Sequence, residues 1–173
     1  MIEPGTVREI IDAPHAVLSA PADPVDPQDP SVVAAAADLL ATMRDTPHTA
    51  GLAAPQIGVA WRLIAFDAGR HPRSRSSAGE LVLVNPQLAQ ASRWESGREA
   101  CASVAGLAAE VPRATRIIVY GRLPGTGELI TIQADAFEAR CIQHQMDHLD
   151  GVLFLDRVGG ATALHRRLHS CDA

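Results

Sequence analysis

The chain contains no lysine; all 15 of its basic residues are arginine. Aromatic residues are scarce as well, six in 173, and 20 acidic residues leave a net charge of −5. Scattered arginines on a net-acidic, aromatic-poor chain argue against direct nucleic-acid binding, which draws on basic patches and stacking surfaces. No run of 18 apolar residues occurs, so no helical membrane span is expected. Cysteine is limited to Cys101, Cys141 and Cys171. Met1–Ile11 lacks the apolar segment of a secretory leader, so the expected setting is the reducing cytoplasm. There a cysteine serves as ligand, nucleophile or core filler rather than as half of a disulfide.

What is present is an ordinary globular balance: 47% hydrophobic, 20% charged, mean hydropathy +0.05. The length fits one domain over 1–173, and a monomer is expected. Residues 1–30 read as a proline-rich arm, with Pro14, Pro21, Pro24, Pro27 and Pro30 removing backbone donors. Ser31 then caps a helix over about 31–45, where Val33, Ala36, Ala37, Leu40 and Met43 recur at helical spacing. A loop over Pro47–Gly58 leads into a strand at Trp61–Phe66, and a polar surface loop covers 69–79. Leu81–Val84 reads as a short strand stopped by Asn85-Pro86, with a separate strand over 87–96. Arg116–Gly121 and Leu129–Gln133 flank a turn sequence and read as a hairpin.

The period then changes. Asp135 and Glu138 have capping-box spacing, and the helix they open runs to about Asp150, where Gly151 stops it. A last helix is expected over 159–169, so residues 159–173 form a C-terminal helix and tail. One helix, several antiparallel strands, then a helix bearing polar residues make the fold class α+β.

His144 and His148 lie at i and i+4 on the second helix, so both imidazoles can reach one small cation from the same side. A thiolate would complete a site suited to Zn(II) or Fe(II) with one open position. Spacing alone leaves Cys101 and Cys141 as alternatives.

Three segments together resemble the peptide deformylase family. Gly51-Leu-Ala-Ala-Pro-Gln56 matches its first motif. Glu99-Ala-Cys-Ala-Ser103 resembles the second, usually Glu-Gly-Cys-Leu-Ser, and Gln143-His-Gln-Met-Asp-His148 the third, usually Gln-His-Glu-x-Asp-His. Their order and spacing agree over roughly residues 5–160. The resemblance implies antiparallel sheets around a central metal-bearing helix, with an N-terminal helix. It also implies a hydrolase that removes the N-formyl group from formyl-methionyl peptides or nascent chains.

Residue by residue, the resemblance puts Cys101, His144 and His148 on the metal ligands, and so favours Cys101 over Cys141. Gln56 and the Ala102 N–H fall on the donors to the formyl oxygen. Thr49, Ala50, Gly51 and Glu99 fall along the substrate groove. Glu99 also supports the site from behind, with Arg113 as its partner. Fe(II) is the implied native ion, with Zn(II) or Ni(II) as replacements. The chain departs from the pattern at Gln145, where the family carries the glutamate that shuttles the proton. A neutral amide cannot take a proton, and losing a general base costs about 10²–10⁴ in rate. Ala100, Ala102, Thr49 and Ala108 also differ from the usual residues, which together suggest a diverged member. Reduced activity is the first expectation; the alternative is a chain that binds metal and formyl peptide or inhibitor without turnover.

Overall fold

A computed structural model describes residues 4–75 and 77–167. Helix α1 (Pro30–Asp45) precedes strands β1 (Gly51–Ala53), β2 (Leu63–Phe66), β3 (Leu81–Cys101), β4 (Val104–Arg122) and β5 (Leu129–Asp135). Helix α2 (Ala136–Leu149) follows directly, and β6 (Leu164–Arg166) comes last. All pairings between these strands are antiparallel, in the order β1-β2-β3-β4-β5, with β6 on β4. The fold is α+β, as expected.

The helices sit on opposite faces of the sheet because strand side chains alternate. Leu63 and Ala65 of β2, with Val82 and Val84 of β3, pack against Val32, Ala36, Leu39 and Met43 of α1. Ile64, Phe66 and Leu83 point the other way, where they join Ile117, Val119, Ile132 and Ala134 against Ala139, Cys141, Ile142 and Leu149 of α2. β2 is therefore buried on both faces and reads as a continuous apolar run. Burying Leu39 and Ile142 completely contributes about 1.5–3 kcal/mol each, so α2 cannot shift without uncovering the core.

Several expectations are corrected. α1 begins one residue early: Asp29, not Ser31, is its cap, accepting from the Ser31 N–H at 2.8 Å, while Pro30 occupies the first turn. Proline suits that position because its missing N–H would have no helical partner. Asn85-Pro86 does not stop a strand. β3 runs on through a register shift between Val84 and Gln87, with Asn85 at φ 51°. The Asn85 amide pins this bulge to the proline-rich arm, donating to Val25 O at 2.8 Å and accepting from Val25 N at 3.1 Å.

Asp135 precedes α2 but makes no side-chain cap, and Glu138 accepts from the Ala78 N–H at 2.7 Å, so no capping box closes there. The loop over 47–58 holds β1 and a 3₁₀ turn at Ala54–Ile57. The expected C-terminal helix does not form: Ala161–Ala163 is a single 3₁₀ turn, and Leu164–Arg166 pairs with β4 over Leu107–Ala109. Backbone pairing with an available sheet edge outweighs weak helical preference. His169 and Cys171 lie outside the described residues. The hairpin expectation holds, as β4 and β5 pair from Arg116↔Asp135 to Arg122↔Leu129.

Candidate metal centre

The site forms where the end of β3 meets the middle of α2. Glu99 and Cys101 are two apart on β3, so both face the helix. Cys101 pairs with Val104 across the two-residue turn Ala102–Ser103, after a register shift at Ala100. Such an irregularity re-aims a strand's last side chain. His144 and His148 lie one turn apart on the facing side of α2, their rings edge to face with centroids 5.1 Å apart. All three residues are buried.

One ligand atom from each of Cys101, His144 and His148 lies within 4.8 Å of the others. Metal–ligand distances of about 2.0–2.3 Å place the donors of a tetrahedral site roughly 3.3–3.8 Å apart. Cys101 Sγ and His148 Nε2 are 3.3 Å apart. The His144 Nδ1–H donates to Glu99 Oε2 at 2.9 Å, which leaves Nε2 as the atom free to ligate. The donor set therefore fits a divalent cation such as Zn(II) or Fe(II).

Burial opposes ionisation of Cys101, but the His144 and His148 imidazoles hydrogen-bonded to it outweigh that cost and bring its thiol down to about 5. Burial likewise opposes the charge on His144, yet Cys101 and Glu99 push its pKa up. Cys141 is the opposite case. Burial, reinforced by the nearby carboxylates, pushes its thiol up to about 12, and Sγ donates to Ala50 O at 3.4 Å. Tertiary placement separates two cysteines that spacing did not.

Behind the cluster lies a buried chain of charges. Glu99 accepts from Arg113 Nε at 2.8 Å and Nη2 at 3.0 Å, and from Arg140 Nη1 at 2.9 Å. Burial would raise its pKa, but Arg113 and His144 more than offset this and hold it well below the usual carboxylate range. Arg113 Nη1 also reaches Asp147 Oδ2 at 2.5 Å, and Arg157 grips Asp147 with two bonds of 2.6 Å. Sequence reasoning anticipated the Glu99–Arg113 pair but missed Arg140, Asp147 and Arg157. The available signal for Arg140 was its place four residues before His144, on the same helical face.

A cavity of about 570 Å³ opens over the cluster. Thr49, Ala50, Gly51, Gln56, Glu99, Cys101, Ala102, His144 and Gln145 all line it, whereas His148 and Arg113 sit behind its wall. Gln56 is fixed in orientation: its Oε1 accepts from the Ala53 N–H at 3.0 Å, and its Nε2 donates to Ser103 Oγ at 3.1 Å and lies 3.6 Å from Cys101 Sγ. Gln145 Nε2 donates to Gly51 O at 3.0 Å, which leaves Oε1 buried without a hydrogen-bond partner.

The family model for polypeptide deformylase matches residues 7–163. The chain belongs to the polypeptide deformylase family. This is a family of amide hydrolases, and the resemblance carried by the three motifs holds across nearly the whole chain. Peptide deformylase from Symbiobacterium thermophilum is 37% identical over 152 residues, 87% of this chain and 66% of that protein. Peptide deformylase from Carboxydothermus hydrogenoformans is 36% identical over 154 residues, 87% of this chain and 93% of that protein. Among solved structures, the Acinetobacter baumannii class I type b peptide deformylase with Met-Ala-Ser bound superposes with a TM-score of 0.79 at 29% identity, covering 88% of this chain and 98% of that one. No helix among the described residues is long and apolar enough to cross a membrane.

Proposed function

We propose that the chain is a peptide deformylase that hydrolyses the N-formyl amide of formyl-methionyl peptides and nascent chains, with one divalent cation held by Cys101, His144 and His148. The observation that carries this reading is the buried group of one acidified thiol and two imidazoles beneath a cavity of peptide size. When bound, such a cation acts as a Lewis acid and lowers the pKa of water to about 7. Fe(II) is the native ion in this reading, with Zn(II) or Ni(II) able to replace it.

The chain's own residues supply the rest. Gln56, tied through Oε1 to Ala53 and through one Nε2–H to Ser103 Oγ, has its other N–H to present to the formyl oxygen, and the Ala102 N–H is the second donor. Each such donor contributes about 3 kcal/mol of barrier lowering because it needs no reorganisation. Thr49, Ala50 and Gly51 line the wall along which the peptide lies, and Glu99 completes the groove while fixing the tautomer of His144. Gln145 accepts a hydrogen bond through Oε1 from water or from the amide N–H, but takes no proton. Turnover is therefore slower than a carboxylate at that position would permit. The relative solved with Met-Ala-Ser supports a methionyl peptide as the ligand class. The reading extends to a single domain over 1–173, acting as a cytoplasmic monomer without direct contact to nucleic acid or membrane.

Gln145 also favours a second reading, in which the chain holds metal and formyl peptide or inhibitor without turnover. An assay on formyl-Met-Ala-Ser, with protein fully loaded with metal under anaerobic conditions, separates the two. Release of formate above the buffer rate is expected. Its absence at micromolar protein rejects the hydrolase for this substrate and leaves the binding reading.

A further inference from the structure

We propose that Arg140 is a positioning residue of the metal centre: its guanidinium, wedged between β3 and β4, fixes the Glu99 carboxylate that orients His144. The inference rests on the metal-centre reading above.

Glu99 must hold one rotamer for its Oε2 to meet His144 Nδ1 at 2.9 Å. Arg113 grips both carboxylate oxygens as a fork, and Arg140 adds a second, independent hold on Oε1. Two Arg113 nitrogens make that fork, while Nη1 is drawn to Asp147, which Arg157 also grips. Arg140 approaches from α2 itself. Its Nη1 donates to Glu99 Oε1 at 2.9 Å, to Val111 O at 2.7 Å and to Gly97 O at 3.3 Å, and its Nη2 donates to Glu95 O at 3.0 Å. Three carbonyls on two strands therefore hold the guanidinium still, and its side chain is only 14% exposed.

Two further points make this arrangement specific. A Cβ on Gly97 would lie 2.8 Å from Arg140 Nη2 and 2.9 Å from Cζ, so a side chain at residue 97 would push the guanidinium out of its present place. Arg140 and His144 are one turn apart on α2 and reach opposite oxygens of the same carboxylate. The pair thus sets the rotation of the helix against β3, and with it the direction of the His144 ring. Partners that orient a ligating imidazole typically change metal affinity 10–100-fold when removed.

The test is competitive titration of metal-free protein with Zn(II) against a chromophoric chelator, together with the visible spectrum of the Co(II) form. Arg140→Met is expected to weaken Zn(II) binding by roughly 10–100-fold and to shift the Co(II) bands, with Arg140→Lys recovering part of the affinity. Gly97→Ala, which leaves the arginine in the chain but takes its space, should move both readouts the same way. Arg116→Met, at an exposed arginine, should match the wild type. A purely structural role would lower thermal stability while leaving affinity and spectrum unmoved. Should Arg140→Met not fold, Arg140→Lys and Gly97→Ala carry the test. Folded Gly97→Ala and Arg140 variants that bind within about twofold of the wild type with an unchanged Co(II) spectrum overturn the inference alone. A wild-type chain that binds no Zn(II) or Co(II) overturns the metal-centre reading and this inference with it.

Discussion

Replacing Gln145 by glutamate restores the one chemical group the candidate site lacks. In the present chain, Gln145 lines the cavity, its Nε2 donates to Gly51 O at 3.0 Å, and its Oε1 is buried without a hydrogen-bond partner. Glutamate puts a proton acceptor where Oε1 lies, and a positioned general base contributes about 10²–10⁴ in rate. It also removes the donor to Gly51 O, and depriving a buried acceptor of its donor costs about 1–3 kcal/mol. For a chain of this length each kcal/mol lowers the melting temperature by roughly 2–4 °C. Gln145→Glu should therefore raise kcat/KM on formyl-Met-Ala-Ser at least tenfold while melting several degrees lower. Burial beside a carbonyl oxygen raises the new carboxyl's pKa, and a base works only when ionised, so the gained activity should climb with pH. A metal-loaded variant with unchanged kcat/KM would refute the reasoning. The limit would then lie in the groove, where Thr49, Ala100 and Ala102 differ from the usual residues and line the cavity, whereas Ala108 is buried away from it.

Gln56→Ala should lower kcat by about 10²–10³ with metal content unchanged, measured by metal analysis and steady-state kinetics, because it removes an oxyanion donor and no ligand. In metal-free protein at pH 7, iodoacetamide followed by mass spectrometry should modify Cys101, whose thiol is brought down to about 5, and spare Cys141, pushed up to about 12; Zn(II) should protect Cys101. Glu99 ionises in the fold well below its unfolded value of about 4.3. The stability it contributes is therefore complete above that value and is lost progressively as pH falls from there toward the lower folded value. Thermal melts of metal-free protein should decline gently from pH 7 to about 5, because the Cys101 thiol at about 5 lies below its unfolded value of about 8.5, and more steeply below about 4, where Glu99 adds its loss; Glu99→Gln, starting lower, should lack that steeper part.

Much of the architecture was legible because its causes are local. The apolar spacing of α1, the turn between β4 and β5 and the i, i+4 histidines of α2 all follow from short-range periodicity. The three motifs likewise placed Gln56, Cys101 and the His144–His148 pair in one cavity wall or just behind it. Asn85-Pro86 shows where local rules fail. Read alone it stops a strand, but a contact with Val25, sixty residues away, turns it into a bulge within one. Residues 164–166 became a strand for a similar reason, the nearness of the β4 edge.

The amino-acid order by itself determined which residue types were available: two imidazoles on one helical face, three thiols, and an amide where a carboxylate would serve. Only the folded chain decided which thiol ionises. Cys101 lies against two imidazoles, while Cys141 is buried beside a carbonyl oxygen and near carboxylates, and a pKa depends on what surrounds a group in space. Only the folded chain, too, brought Arg140 across to Glu99, because that contact joins a helix to a strand through the space a glycine leaves open.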